Sequence, residues 1–229
     1  MTAMNTLQQP PILDPNNPQS IQIHQHHVLT AFKSLFNLID QALTDSVPKA
    51  KAIFSLLEGP VDLSIHAGLT RYLCKRFLDS QNVPTAEEES TDFEIERIPN
   101  CGLCINQGLS QVRILKATAG GIPKATSDAR RRFYSSNQYL LPFATTNKTS
   151  QEPGLPLSLV VLWSLDGEYS YQGIEIACPR MEREDGSVDC FWIAPWKIEE
   201  GKSLRPGPSK LEQDLDEIRP LAKLKKATS

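Results

Sequence analysis

From Arg113 to Lys148 the chain carries seven basic residues, Arg113, Lys116, Lys124, Arg130, Arg131, Arg132 and Lys148, against a single acid, Asp128. The whole chain of 229 residues has a net charge of −3, so this segment reverses the local sign. It also holds Gly120-Gly121 and a candidate helix start at Thr126-Ser127-Asp128. Glycine amides, a helix N-terminus and guanidinium groups are the parts from which anion sites are built. Phe133 and Tyr134 adjoin the arginines, and aromatic rings there can stack on bases. The candidate nucleic-acid or anion-binding set is therefore Lys116, Lys124, Arg130, Arg131, Arg132 and Tyr134. No GxxxxGK[ST] phosphate loop accompanies it. The competing expectation is an arginine run that faces solvent or pairs with the acidic stretch at 87–96.

The remaining candidates are weaker. Cys101-Gly102-Leu103-Cys104 has the spacing of half a zinc site or a redox pair. A structural zinc site needs a second pair of ligands, and no second CxxC or close Cys/His pair exists, so ordinary thiols are expected. His24 and His27 stand three apart, as two ligands on one helix face would, with no carboxylate nearby until Asp40. A solvated helix start is the simpler reading. His66 has no identifiable nucleophile to serve. Asp166 and Glu175 on a hairpin have the outline of the two-acid metal site of PD-(D/E)xK nucleases. Alanine stands at position 177 where that pattern requires lysine, and Asp166 falls in the turn. A metal-dependent hydrolase or nuclease thus ranks last. No catalytic residues, no metal and no cofactor are expected.

Six aromatics, Trp163, Tyr169, Tyr171, Phe191, Trp192 and Trp196, crowd into the block from Leu157 to Trp196. Cross-strand packing is their ordinary use. Phe191 and Trp192 alternate faces, so both sides of the sheet need cover, from helices or from another molecule. Glu175 is flanked by Ile174 and Ile176, which turns it toward solvent or a partner. Glu175 and Trp192 are therefore the candidate partner-binding residues.

The elements that position these residues read as follows. Residues 1–20, rich in proline, asparagine and glutamine, form a flexible arm. Residues 21–82 form a helical subdomain of about three helices. Val28, Phe32, Leu35, Phe36, Ile39, Ala42 and Leu43 recur at helical steps from His26 onward. A second helix spans Val47 to Glu58, with Ser46 as cap and Pro48 in its first turn. A third runs from Val61 to Gln81 with Ile65, Leu69, Tyr72, Leu73 and Phe77 inward. An acidic linker follows. Residues 93–196 form a mostly antiparallel sheet of five or six strands, interrupted by a long basic loop at 117–150. Its clearest signals are three consecutive strands joined at Asp166-Gly167 and Asp185-Gly186, where aspartate and glycine tolerate the positive φ of tight hairpins. Residues 197–229 supply a C-terminal helix, with a capping box at Ser209 and Glu212, and a basic tail.

The fold class expected is α+β. Hydrophobic content of 40% and charged content of 22% suit a packed core. No apolar run approaches the roughly 20 residues that cross a bilayer, and the N-terminus lacks signal-peptide character. A cytoplasmic location with no membrane contact is expected. The first functional reading is a non-enzymatic regulatory protein with a protein partner, in a bacterial toxin–antitoxin or phage-defence setting. The alternative is a nucleic-acid or phosphate-binding module on the basic 113–132 segment.

Overall fold

The computed structural model describes residues 13–56, 63–81, 93–98, 102–119, 121–137 and 157–196. Among them are four helices and a six-stranded mixed sheet, an α+β fold. The expected C-terminal helix lies outside the described residues.

Helix α1 spans Pro18–Ala31. It starts earlier than the apolar periodicity suggests, inside the expected flexible arm. Asn17 accepts hydrogen bonds from the backbone N–H groups of Gln19 and Ser20, and Pro18 occupies the first turn. An asparagine cap followed by proline is a start signal that the polar composition concealed. Phe32 closes α1, and α2 follows at once over Lys33–Ser55.

Pro48 does not open a helix but sits inside α2. Ser46 is accordingly buried in mid-helix and caps nothing. Proline removes one helical hydrogen bond and crowds the carbonyl four residues back. Here that carbonyl belongs to Thr44, which is exposed, as is Pro48 itself. Water can serve the freed oxygen, while Leu43, Val47, Ala50 and Phe54 keep the buried stripe continuous through the site.

Helix α3 spans Leu63–Gln81. Its inward face differs from the expected one. Ile65 and Tyr72 are exposed, whereas His66, Thr70, Leu73, Cys74, Phe77 and Leu78 are buried. The helix is rotated so that two polar side chains replace two apolar ones on the packed side.

The strands are β1 (Glu94–Ile98), β2 (Gly102–Gln107), β3 (Ser110–Lys116), β4 (Ser158–Leu165), β5 (Tyr171–Glu182) and β6 (Val188–Trp196), and they lie in sequence order across the sheet. Pairs β1–β2, β2–β3 and β5–β6 are antiparallel. The pair β3–β4 is parallel, with Arg113 beside Val160 and Leu115 beside Leu162. Parallel neighbours need a crossover connection, and the basic segment is that connection. It contains α4, Asp128–Ser135. The Asp185-Gly186 turn has positive φ at Gly186, as expected. In the Asp166 turn the positive φ falls on Tyr169 (φ 62°) and not on Gly167.

The chain forms two compact units. One takes in the described residues within Met1–Asn37, Asp92–Ser164 and Gly173–Lys197, and the other those within Leu38–Thr91, Leu165–Gln172 and Ile198–Ser229. In the first, the sheet has helical cover on both faces. On one face Trp192 donates its indole N–H to His24 of α1, and Trp196 donates to Asn37 while its ring packs edge-on to Phe36. On the other, Ile122, Ala125, Phe133 and Tyr134 of the crossover bury Leu115, Val160, Leu162 and Ala177. In the second unit, Tyr171 donates its hydroxyl to Asp40, Lys51 donates to the Glu168 carbonyl, and Tyr169 packs on His66.

Candidate anion and partner-binding surfaces

Among the described residues, the crossover spends most of its cations on the chain's own groups. Lys124 Nζ donates to the Asp185 carbonyl at 2.8 Å, and Arg130 Nη1 to the Lys124 carbonyl at 3.0 Å. Arg131 Nε pairs with Glu182 at 3.2 Å, and its Nη1 lies 3.5 Å from Asp128. Lys116 lies with its ammonium 5.9 Å from the Trp163 ring centroid, and partial burial lowers its pKa. Arg132 is exposed. Tyr134 is fully buried and donates its hydroxyl to the Pro123 carbonyl at 2.9 Å, so its ring is core and not a stacking platform.

The backbone parts of the expected anion site are likewise engaged. Gly121, at φ 86°, exchanges both its N–H and C=O with Thr118 in a tight turn. Ser127 caps α4 and its Oγ accepts from the Arg130 N–H. Gly120, Lys148 and the acids at 87–89 lie outside the described residues.

Asn137, just past α4, is a residue that the sequence reading missed. Its Oδ1 accepts the Ser158 N–H at 2.8 Å, while Nδ2 donates to the carbonyls of Ser158 at 2.7 Å and Pro179 at 2.8 Å. Pro179 has no N–H to offer the ladder. The side-chain amide of Asn137 therefore acts as a surrogate peptide group where β4 begins and β5 lacks a donor. An asparagine after a short helix carries no sequence signal for this.

Arg113 belongs to the basic segment singled out from the sequence, but not to the candidate set named there. It projects from β3 on the face covered by α4, between Cys104 of β2 and Val160 of β4. It is 6% exposed. Its guanidinium carbon stands 4.0 Å from the Phe133 ring centroid, yet Nε and Nη1 have no hydrogen-bond acceptor among the described residues. Arginine stays charged in proteins. An uncompensated buried charge costs several kcal/mol, of which stacking on an aromatic ring returns about 2 kcal/mol. The faint signal was a charge on the buried face of an otherwise apolar strand, Val112-Arg113-Ile114-Leu115.

Of the candidate partner residues, Glu175 is exposed and sits opposite Pro195. Trp192 is buried, its Nε1 3.1 Å from His24 Nδ1, so α1 already covers its ring. On the Glu175 side of edge strand β6, Ile193 is 47% exposed and Pro195 is exposed beside it.

The titratable groups are shifted by burial. His24 is held down to about 4 by burial and then by the charge of His27. Burial lifts the Cys74 thiol to about 12, with Asp45 adding to it, and the Cys190 thiol to about 12, with Asp189 adding. Burial also raises Cys178, with help from Cys190, and raises Asp40 against the pull of the Tyr171 hydrogen bond. Cys104 is buried, with its sulfur 3.8 Å from Asn106 Oδ1, and Cys101 lies outside the described residues. Among the described residues no group of three or more His, Cys, Asp or Glu side chains is arranged to hold a metal. Asp166 serves the turn, accepting from the N–H groups of Glu168 and Ser170 and from the Gln172 amide. Among the described residues no helix is long and apolar enough to cross a membrane.

Comparison with known protein families, with curated proteins and with solved structures finds no match to this chain.

Proposed function

We propose that this is a non-enzymatic interaction protein that engages a protein partner through the open side of the β5–β6 edge. The observation that carries the reading is the exposed strip of Ile193 and Pro195 beside Glu175 on an edge strand. An edge strand offers unpaired backbone groups, and a half-exposed isoleucine beside them adds apolar area.

The basic-segment alternative draws less support, because Lys124, Arg130 and Arg131 are bound to the chain's own oxygens.

The test compares the full chain with Ile193→Lys and with Glu175→Lys, each tagged and recovered from its native cell. A defined protein should accompany the parent chain and be lost from Ile193→Lys, with circular dichroism unchanged. Equal recovery of the same protein by all three chains would place the interface elsewhere. A parent chain that runs as a monomer with no companion would count against the function itself.

A further inference from the structure

Helix α3 carries a second apolar face that the described residues leave uncovered. Leu73, Cys74, Phe77 and Leu78 form its buried side, while Ile65, Leu69 and Tyr72 recur at i, i+4 and i+7 on the opposite side. Ile65 is 52% and Tyr72 46% exposed, with Leu69 half-buried between them. A surface helix ordinarily has one apolar stripe, and a second one marks a docking surface. Gly68 borders the stripe. Where its Cβ would stand, the nearest atom outside the helix backbone is the Arg71 guanidinium at 3.9 Å, so another helix can approach closely there. The rim is basic: α3 holds Arg71, Lys75 and Arg76 against one acid, Asp79, which pairs with Lys75. The Arg76 guanidinium stands 6.0 Å from the Tyr72 ring centroid, which sets positive charge beside the stripe.

We propose that residues 209–218 form an acidic amphipathic helix that docks on this face, with Leu211, Leu215 and Ile218 against Ile65, Leu69 and Tyr72.

The segment matches the face in spacing and in charge. Leu211, Leu215 and Ile218 also stand at i, i+4 and i+7. Around them Glu212, Asp214, Asp216 and Glu217 oppose a single base, Lys210. Ser209 with Glu212 supplies a helix start, and Pro220 a stop. The other acidic run, Glu87-Glu88-Glu89, lies in a stretch (82–92) without leucine, isoleucine or aromatic residues to fill the stripe. A second copy of α3 would set like charges against each other. Residues 198–208, extended, reach roughly 36–40 Å, more than the ~30 Å diameter of a small domain, so the tether is long enough.

The experiment is hydrogen exchange on the purified full chain. A helix this short is marginal in water by itself, so protection of its amides reports docking. The amides of 213–218 should exchange at least tenfold more slowly than their intrinsic rates, independently of protein concentration. Ile65→Glu sets a carboxylate against the acidic segment and should return them to intrinsic rates, with the α3 amides still protected. In the parent chain, methyl NOEs should connect Ile65 or Leu69 with Leu211, Leu215 or Ile218. If Ile65→Glu does not fold, those NOEs decide alone, and their absence overturns the docking. Unprotected amides in the parent chain, protection that survives Ile65→Glu, or protection that grows with concentration, as a second copy would give, would each overturn it as well.

Discussion

His24 should make the protein lose stability in mild acid, well above the range where most carboxylates titrate. The indole N–H of Trp192 donates to Nδ1 at 3.1 Å, so the neutral ring carries its proton on Nε2. A second proton would have to enter at Nδ1. That would set two donors against each other inside the packed layer between α1 and β6. Burial, and secondarily His27, hold the folded value near 4 against an ordinary 6.5. The folded value is the lower one, so the native state binds fewer protons between these limits. The contribution is fully present above about pH 6.5 and is lost as pH falls toward 4. The shift of about 2.5 units corresponds to ~3 kcal/mol in total, of which roughly 1 kcal/mol is gone by pH 5.5 and about 2 kcal/mol by pH 5. The assay is urea unfolding followed by tryptophan fluorescence across this range, for the parent chain and for His24→Gln. Glutamine keeps an acceptor for the indole and cannot take up a proton. Subtracting the two curves removes the carboxylates and the other histidines. The difference should shrink by about 2 kcal/mol between pH 7.5 and pH 5. Parallel curves would refute the reasoning, because they would mean that His24 protonates as freely in the folded chain as in the unfolded one.

Two further predictions follow from the hydrogen-bond network. Asn137→Ala strands the Ser158 N–H and the carbonyls of Ser158 and Pro179 in a buried site, so chemical unfolding should show a loss of roughly 3–5 kcal/mol. Asn137→Asp should be at least as damaging, since it turns a carboxylate toward two carbonyls. A loss below about 1 kcal/mol in both would dismiss the surrogate-peptide role. Tyr171→Phe removes the donor that partly offsets the burial of Asp40. The folded Asp40 pKa is already raised, so its contribution is fully present at low pH and lost as pH rises through the folded value. The variant should therefore cost about 1–3 kcal/mol near neutrality and less at pH 4. An equal cost at both pH values would show that Asp40 is not the partner that matters.

The sequence by itself determined the elements whose signals are local. Alternating apolar residues and the turns at Asp166 and Asp185 marked β4, β5 and β6, and β6 runs over Val188–Trp196 as the pattern suggests. Ser127 was legible as a helix start because capping depends on residues three apart. Asp166 was legible as turn chemistry for the same reason. The tertiary structure decided what depends on partners far along the chain. Alternation is the same in parallel and antiparallel strands, so nothing in Gln111–Lys116 announces that β3 pairs in parallel with β4. That pairing converts the basic segment from a free loop into a crossover, which is why Lys124, Arg130 and Arg131 meet acceptors and Tyr134 disappears into the core. Pro48 broke no helix because it and Thr44 lie on the exposed side while the flanking stripe of Leu43, Val47, Ala50 and Phe54 stays buried. His66 and Thr70 turned inward because the packing of a whole helix face sets its rotation, and single side chains do not. Arg113 stood in the sequence as one of seven basic residues. Only the layers above and below β3 set it apart, by burying its charge on Phe133 and bringing no described oxygen to meet it.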